Sequence, residues 1–190
     1  MRLEHQHSVF WDMLRLNKEQ YCLRKAVLSV VQDLINQSGH YNRKKPNVYF
    51  VGGNWEEGDD IIIVEADIGR IMQVISNILS NAIRFAKEGD VNISIERKDG
   101  IIDSNDDKSN NNNNKGQVIL SIKDTGTGID PNVFPKLFSK FALTSETGGN
   151  GLGLFISKSI VEAHGGKIWA ENNKDGERGA TFYFSLPLSR

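Results

Sequence analysis

The sequence predicts an α/β two-layer sandwich, and three observations carry that reading. Asp67 through Lys87 repeats its apolar residues at the roughly 3.6-residue spacing of a long amphipathic helix. Val91–Arg97, Gln117–Lys123, Lys167–Asn172 and Ala180–Leu186 have the composition and alternation of strands. Helices and strands alternate along the chain without the regular strand–helix–strand rhythm of a doubly wound sheet.

Taken in order, residues 1–20 are an appendage in which Phe10, Trp11, Leu14 and Leu16 would form a helical stub in need of a partner. From Tyr21 to Ser38, Leu23, Ala26, Val27, Val30, Val31, Leu34 and Ile35 recur at helical spacing, and Gly39 is the C-terminal stop. Asn47–Gly53 reads as a strand with a turn at Gly52-Gly53-Asn54, and Asp60–Val64 as a second strand buried on both faces. Asp67 is the N-cap of the long helix, whose stripe is Ile68, Ile71, Ile75, Ile78, Leu79 and Ala82. Val91–Arg97 and Gln117–Lys123 pair across Asp99–Gly116, a polar stretch holding the run Asn110–Asn114 that is expected to be a disordered surface loop. A glycine-rich region from Thr125 to Gly153 leads into a helix from about Leu152 to His164, stopped by Gly165-Gly166. Lys167–Asn172 and Ala180–Leu186 close the chain.

Composition narrows the function classes. The 190 residues suit one domain with an appendage, and 38% hydrophobic content is enough for a real core. With 23 Lys+Arg against 24 Asp+Glu, the chain lacks the basic surface that sequence-independent nucleic-acid binding needs. Cys22 alone, with four scattered histidines, makes neither an intrachain disulfide nor a familiar zinc site, which fits a reducing compartment. No run approaches the roughly 18 apolar residues of a spanning helix, and the opening Met1–His7 lacks the apolar stretch of a signal peptide. A cytoplasmic domain, or the cytosolic part of a membrane-bound sensor, is expected.

Three features carry chemistry. At about 100° per residue, Asn77, Asn81 and Arg84 fall within about 60° of one another, on the face of the Asp67–Lys87 helix away from its apolar stripe. An amide oxygen is a hard, neutral ligand suited to Mg²⁺, and an arginine offsets phosphate charge; a solvated face that happens to contain asparagine is the plainer alternative. Asp124-Thr125-Gly126-Thr127-Gly128-Ile129 follows a strand, so its glycines permit close approach to a flat ligand and its carboxylate accepts from an exocyclic amine, unless it is only a turn. Gly148-Gly149-Asn150-Gly151-Leu152-Gly153-Leu154 runs into a helix, where exposed N–H groups make an anion site, unless it is a linker. Jointly, the metal ligands, adenine acceptor and phosphate cradle specify a site for Mg²⁺ and ATP.

The set resembles the Bergerat-fold ATPases of the GHKL superfamily, and within them the catalytic domain of sensor histidine kinases. Gln73–Phe85 resembles that family's N box, Asp124–Ile129 its first glycine box, and Phe134–Phe141 its F box. Gly149–Leu154 resembles the second glycine box and Arg178–Phe182 the last; the similarity runs from about Tyr21 to Leu188 in the family's order. The resemblance implies a mixed, mainly antiparallel sheet packed on one face by about three helices, with an ATP lid at about 130–150. It implies that Asn81 binds Mg²⁺, that Asn77 supports metal or phosphate, that Arg84 touches phosphate and that Phe85 flanks the nucleotide. Asp124 would accept from the adenine amine in a pocket shaped by Gly126, Gly128 and Ile129. Gly149, Gly151, Leu152, Gly153 and Leu154 would line the phosphates, and Thr181 would stand behind the adenine through water. Phe134, Phe138 and Phe141, on one side of a short helix, would dock the lid or a partner domain, or simply pack.

Two departures from the family bear on mechanism. Hydrolysing members of the superfamily carry a water-activating glutamate where this chain has Asn77, which is no base at neutral pH. That loss matters less to a kinase whose acceptor is histidine, since neutral imidazole already offers a lone pair. None of His5, His7, His40 or His164 has the sequence context of the family's phosphoacceptor, and His164 reads as a helix C-terminal residue. Leu14–Gln20 resembles the link to the family's dimerisation helices. The expected function is therefore transfer of the ATP γ-phosphoryl group to a histidine on a helical dimerisation domain outside this chain, which would in turn supply a response regulator. The chain alone is expected to be a monomer that binds ATP without phosphorylating itself. The alternatives are another GHKL ATPase or protein kinase, or a silent nucleotide-binding interaction module.

Overall fold

The computed structural model describes residues 16–37, 46–51, 62–98, 116–140, 151–174 and 176–189. Its elements are β1 (Glu19–Cys22), α1 (Leu23–Gln37), β2 (Asn47–Phe50), β3 (Ile63–Ala66), α2 (Ile68–Ala86), β4 (Asp90–Lys98), β5 (Gln117–Asp124), α3 (Gly153–Ala163), β6 (Ile168–Asn172) and β7 (Ala180–Pro187). One 3-10 turn, Phe134–Lys136, lies between β5 and α3.

The main sheet has the order β2-β4-β5-β7-β6, and only β2–β4 is parallel. Alternation sorts the strand residues by face: Val91, Ile93, Val118, Leu120, Ile122, Phe182, Phe184 and Leu186 are buried in the core. They pack with the stripe of α2 (Ile71, Val74, Ile75, Ile78, Leu79, Ala82), with Ile160 and Val161 of α3, and with Leu23, Val27 and Val30 of α1. Each fully buried isoleucine or leucine contributes about 1.5–3 kcal/mol, so the three-helix layer and the sheet are held face to face by this cluster. On the opposite face Trp169 stacks on Tyr183 with centroids 5.1 Å apart. The mixed, mainly antiparallel sandwich is the fold the sequence predicts.

Differences lie at edges. Tyr21 and Cys22 are not the first turn of a helix; they pair with Val64 and Ile63 in a separate two-stranded sheet, β1–β3, because a backbone partner remote in sequence overrides local periodicity. β3 runs to Ala66 and alternates, with Val64 and Ala66 buried and Glu65 exposed, so it is not covered on both faces. Leu16 lies outside any helix. The other expected stub residues, the Gly52–Asn54 turn, the helix stop at Gly39 and the loop 99–115 fall outside the described residues.

Candidate functional site

Asp67 caps α2 as predicted: its Oδ1 accepts the Arg70 N–H at 3.2 Å, which satisfies one of the donors a helix start leaves unpaired. From that fixed start α2 buries its apolar stripe and turns Asn77, Asn81 and Arg84 away from it, none of them fully buried. Arg84 Nη2 donates to Asn81 Oδ1 at 2.9 Å, and its guanidinium lies 4.7 Å from the Phe85 ring centroid. Asn77 Nδ2 donates to the buried Ser157 Oγ at 3.0 Å, and a Cβ on Gly153 would collide with Asn77 Oδ1. Asn77 therefore ties α2 to the first turns of α3, a link the sequence reading missed because nothing marks Ser157 before the helices are packed.

At the end of β5, Asp124 is only 3% exposed. Burial raises its pKa above the ordinary carboxylate value, against the N–H groups of Gly126 and Ala180, which lower it. Gly126 N donates to Asp124 Oδ1 at 2.8 Å, so the carboxylate is held by the loop that follows it. Gly126 is glycine for a steric reason: a Cβ would lie 2.5 Å from the Phe85 carbonyl oxygen at the end of α2. The same contact brings the polar end of the N-box helix against the Asp124 loop. Gly128 adopts φ +78°, a region L side chains rarely enter.

Thr181 does not stand on the Asp124 side of the sheet. β5 and β7 pair Lys123 with Thr181, so those two share a face and Asp124 points to the other. The Thr181 hydroxyl donates instead to Asn173 Oδ1 at 2.7 Å, and Ala180 is the β7 residue on the Asp124 side. The register sets Thr181 one residue off the Asp124 face, beside Asn173, because a one-residue offset on a strand reverses the face.

α3 begins at Gly153 with Leu152 as N-cap and no side-chain cap, and Gly151 before it has φ +64°. The N-cap residue thus brings no side-chain acceptor of its own to the helix start, where backbone N–H groups make a place for an anion. Gly149 lies outside the described residues. The F-box segment forms one 3-10 turn rather than a helix carrying three phenylalanines on one side. Phe134 is 41% exposed, Phe138 packs against the core, and Phe141 is outside the described residues. Pro135 early in the turn and the local turn at Asp130, whose Oδ1 accepts the Asn132 N–H at 2.7 Å, favour a tight turn over a longer helix.

His164 caps α3 at its C-terminus and is buried. Its Nδ1–H donates to the Ile160 carbonyl at 2.8 Å and its Nε2 accepts the Asp67 N–H at 2.9 Å, so the ring joins the end of α3 to the start of α2 as a neutral imidazole. Burial lowers its pKa below the ordinary 6.5, the Ile160 carbonyl opposes that shift, and Lys18 and Asp67 act in opposite directions. Because the folded value is depressed, the stability His164 contributes is full above about pH 6.5 and is lost as pH falls through the folded pKa. Thermal melts between about pH 7.5 and about pH 5.5 should show a fall in Tm that is smaller in His164→Gln; equal slopes would contradict the assignment.

No group of three or more His, Cys, Asp or Glu side chains placed to hold a metal occurs among the described residues. A cation at Asn81 would have to take most of its ligands from a bound phosphate and water. That is the habit of Mg²⁺, so the amide oxygen fits it. No described helix is long and apolar enough to cross a membrane.

Residues 66–190 match the family described as histidine kinase-, DNA gyrase B-, and HSP90-like ATPase. Sensor protein FixL of Bradyrhizobium diazoefficiens is 36% identical over 134 residues, covering 70% of this chain and 23% of that protein. Sensor histidine kinase WalK of Bacillus subtilis is 38% identical over 135 residues, covering 68% of this chain and 20% of that protein. The chain thus spans about a fifth of the length of these curated relatives. The nucleotide-free catalytic domain of histidine kinase ThkA superposes with a TM-score of 0.66 at 29% identity, covering 90% of this chain and 95% of that one. With the buried Asp124, the N-box helix and the uncapped start of α3 in one fold, this chain belongs to the histidine kinase-, DNA gyrase B- and HSP90-like ATPases, as an ATP-binding catalytic domain of the sensor histidine kinase kind.

Proposed function

We propose that the domain binds ATP with Mg²⁺ between α2 and the start of α3, on the cytoplasmic side of a sensor. It then passes the γ-phosphoryl group to a histidine on a helical dimerisation domain, from which a response regulator is phosphorylated. The observation that carries the reading is the buried Asp124 carboxylate, an acceptor held at a strand end by the Gly126 N–H and aimed at a loop that only glycine can form.

Asp124 orients adenine through its exocyclic amine, and the Gly126–Ile129 backbone shapes the slot. Arg84 moves from Asn81 Oδ1 to phosphate, leaving that oxygen for the cation. Bound Mg²⁺ neutralises charge on the transferring phosphoryl group. The N–H groups from Gly149 to Leu154 hold phosphate oxygens at the α3 N-terminus, and Asn77 keeps that terminus against α2 through Ser157. The chain before β1 links toward the helical domain, the nucleotide unit begins at β1 rather than at 21 because Glu19 and Gln20 pair with β3, and 130–150 cover the phosphates. No residue of α2 supplies a base for water, which favours transfer to histidine over hydrolysis.

Calorimetric titration with ATP in the presence and absence of Mg²⁺, followed by label transfer from γ-labelled ATP to a supplied helical histidine domain, tests the proposal. In Asn81→Ala the strengthening of ATP binding by Mg²⁺ is expected to drop about ten-fold while metal-free binding persists. Steady hydrolysis without any histidine acceptor would instead favour an ATPase.

A further inference from the structure

Two side chains outside every motif close the Asp124–Ile129 loop from opposite sides. Asn172 ends β6 opposite Ala180, on the Asp124 side of the sheet, and Asn173 follows it. Asn172 Oδ1 accepts the Ile129 N–H at 2.7 Å, and its Nδ2 donates to the Ile129 carbonyl at 3.0 Å. This amide pairs with a backbone unit as a neighbouring strand would, extending the sheet by one rung into the loop. Gly128 permits the approach, since a Cβ there would lie 3.0 Å from Asn172 Oδ1. Asn173 Nδ2 donates to the Asp124 carbonyl at 2.9 Å and to the Arg178 carbonyl at 2.7 Å, while its Oδ1 accepts from Thr181. Its own N–H reaches the Gly179 carbonyl at 3.0 Å, pinning the neck of the β6–β7 hairpin.

We propose that Asn172 and Asn173 form a two-sided clasp that sets the width of the adenine slot, and are positioning residues for purine selection. The proposal rests on Asp124 being the adenine acceptor. Consecutive residues on an extended strand point to opposite faces, so an Asn-Asn pair grips the loop at its last residue from one side and at its first from the other. Three of the four hydrogen-bonding positions of the Asn173 amide are used. Aspartate at either site keeps an acceptor and removes both donors.

The test uses wild type, Asn172→Ala, Asn173→Asp and Val27→Ala, the last a core change on α1 that lowers stability elsewhere in the fold. Amide exchange at Gly126 and Ile129 is measured on the nucleotide-free proteins, and affinities for ADP and GDP by calorimetry. The two asparagine variants should exchange faster at those amides, bind ADP about ten-fold more weakly and lose part of the ADP-over-GDP preference. Val27→Ala should melt earlier with its preference unchanged. If wild type fails to bind ADP, the ATP-site reading falls while the exchange rates still decide the clasp. Unchanged exchange in both asparagine variants would overturn the clasp, and faster exchange with an unchanged ADP-to-GDP ratio would overturn the positioning role.

Discussion

Asp124→Asn is expected to fold at least as well as wild type and to bind ATP at least about 100-fold more weakly. The isosteric amide retains an oxygen for the Gly126 N–H, which lies 2.8 Å from Asp124 Oδ1. It replaces the other acceptor with an NH₂ group that meets the adenine amine donor to donor, so a charge-assisted hydrogen bond of about 1.5–3 kcal/mol becomes a mismatch between two desolvated donors. Stability moves the other way. Burial raises the Asp124 pKa, so its contribution is favourable below the ordinary carboxylate value and is lost as pH rises through the folded pKa. The amide has no such loss, and its Tm at neutral pH should equal or exceed that of wild type. Calorimetry and thermal melts on the same preparations decide the matter, and undiminished ATP binding in a folded variant would end the case for this adenine site.

Gly179→Ala is expected to lower stability by about 3 kcal/mol or more, a fall in Tm of roughly 6–12 °C for a domain of this size. Gly179 has φ +100°, and a Cβ there would run into the Asp124 carbonyl oxygen and lie 2.9 Å from the Gly126 nitrogen. Holding an L residue at such a φ costs about 1–3 kcal/mol, and overpacking against backbone adds about 1–3 kcal/mol because neither strand can withdraw without losing ladder bonds. Gly176→Ala separates the two terms: its φ is +81°, but nothing lies within 4 Å of the added methyl group. Circular dichroism melts should therefore give a clearly larger loss for Gly179→Ala. Equal losses would show that conformation alone, and not the contact with the Asp124 loop, makes that glycine necessary.

Both variants act on a loop whose first residue the sequence identifies and whose supports it does not. The strand end at Asp124 and the tight loop after it were legible because an apolar alternating run that meets Asp-x-Gly-x-Gly must stop and turn there. Asn81 and Arg84 were legible because α2 has a regular period, so angle arithmetic places them on one face. The partner of Thr181 was less legible, since motif similarity sets a residue number without setting strand register, and one residue is the difference between two faces of a sheet. Tyr21 and Cys22 read as helix for a related reason: their partners, Val64 and Ile63, are remote in sequence and local periodicity carries no trace of them.

By itself the sequence determined the layer architecture, the long capped helix and the chemical types gathered at the site, since each follows from local periodicity, capping and backbone sterics. Only the tertiary structure decided that Asn77 holds Ser157, that His164 joins the ends of α3 and α2, and that Asn172 and Asn173 grip the Asp124–Ile129 loop. Those bonds cross 43 to 97 residues of chain. A polar side chain declares a partner of that kind only when packing has removed the water that would otherwise satisfy it.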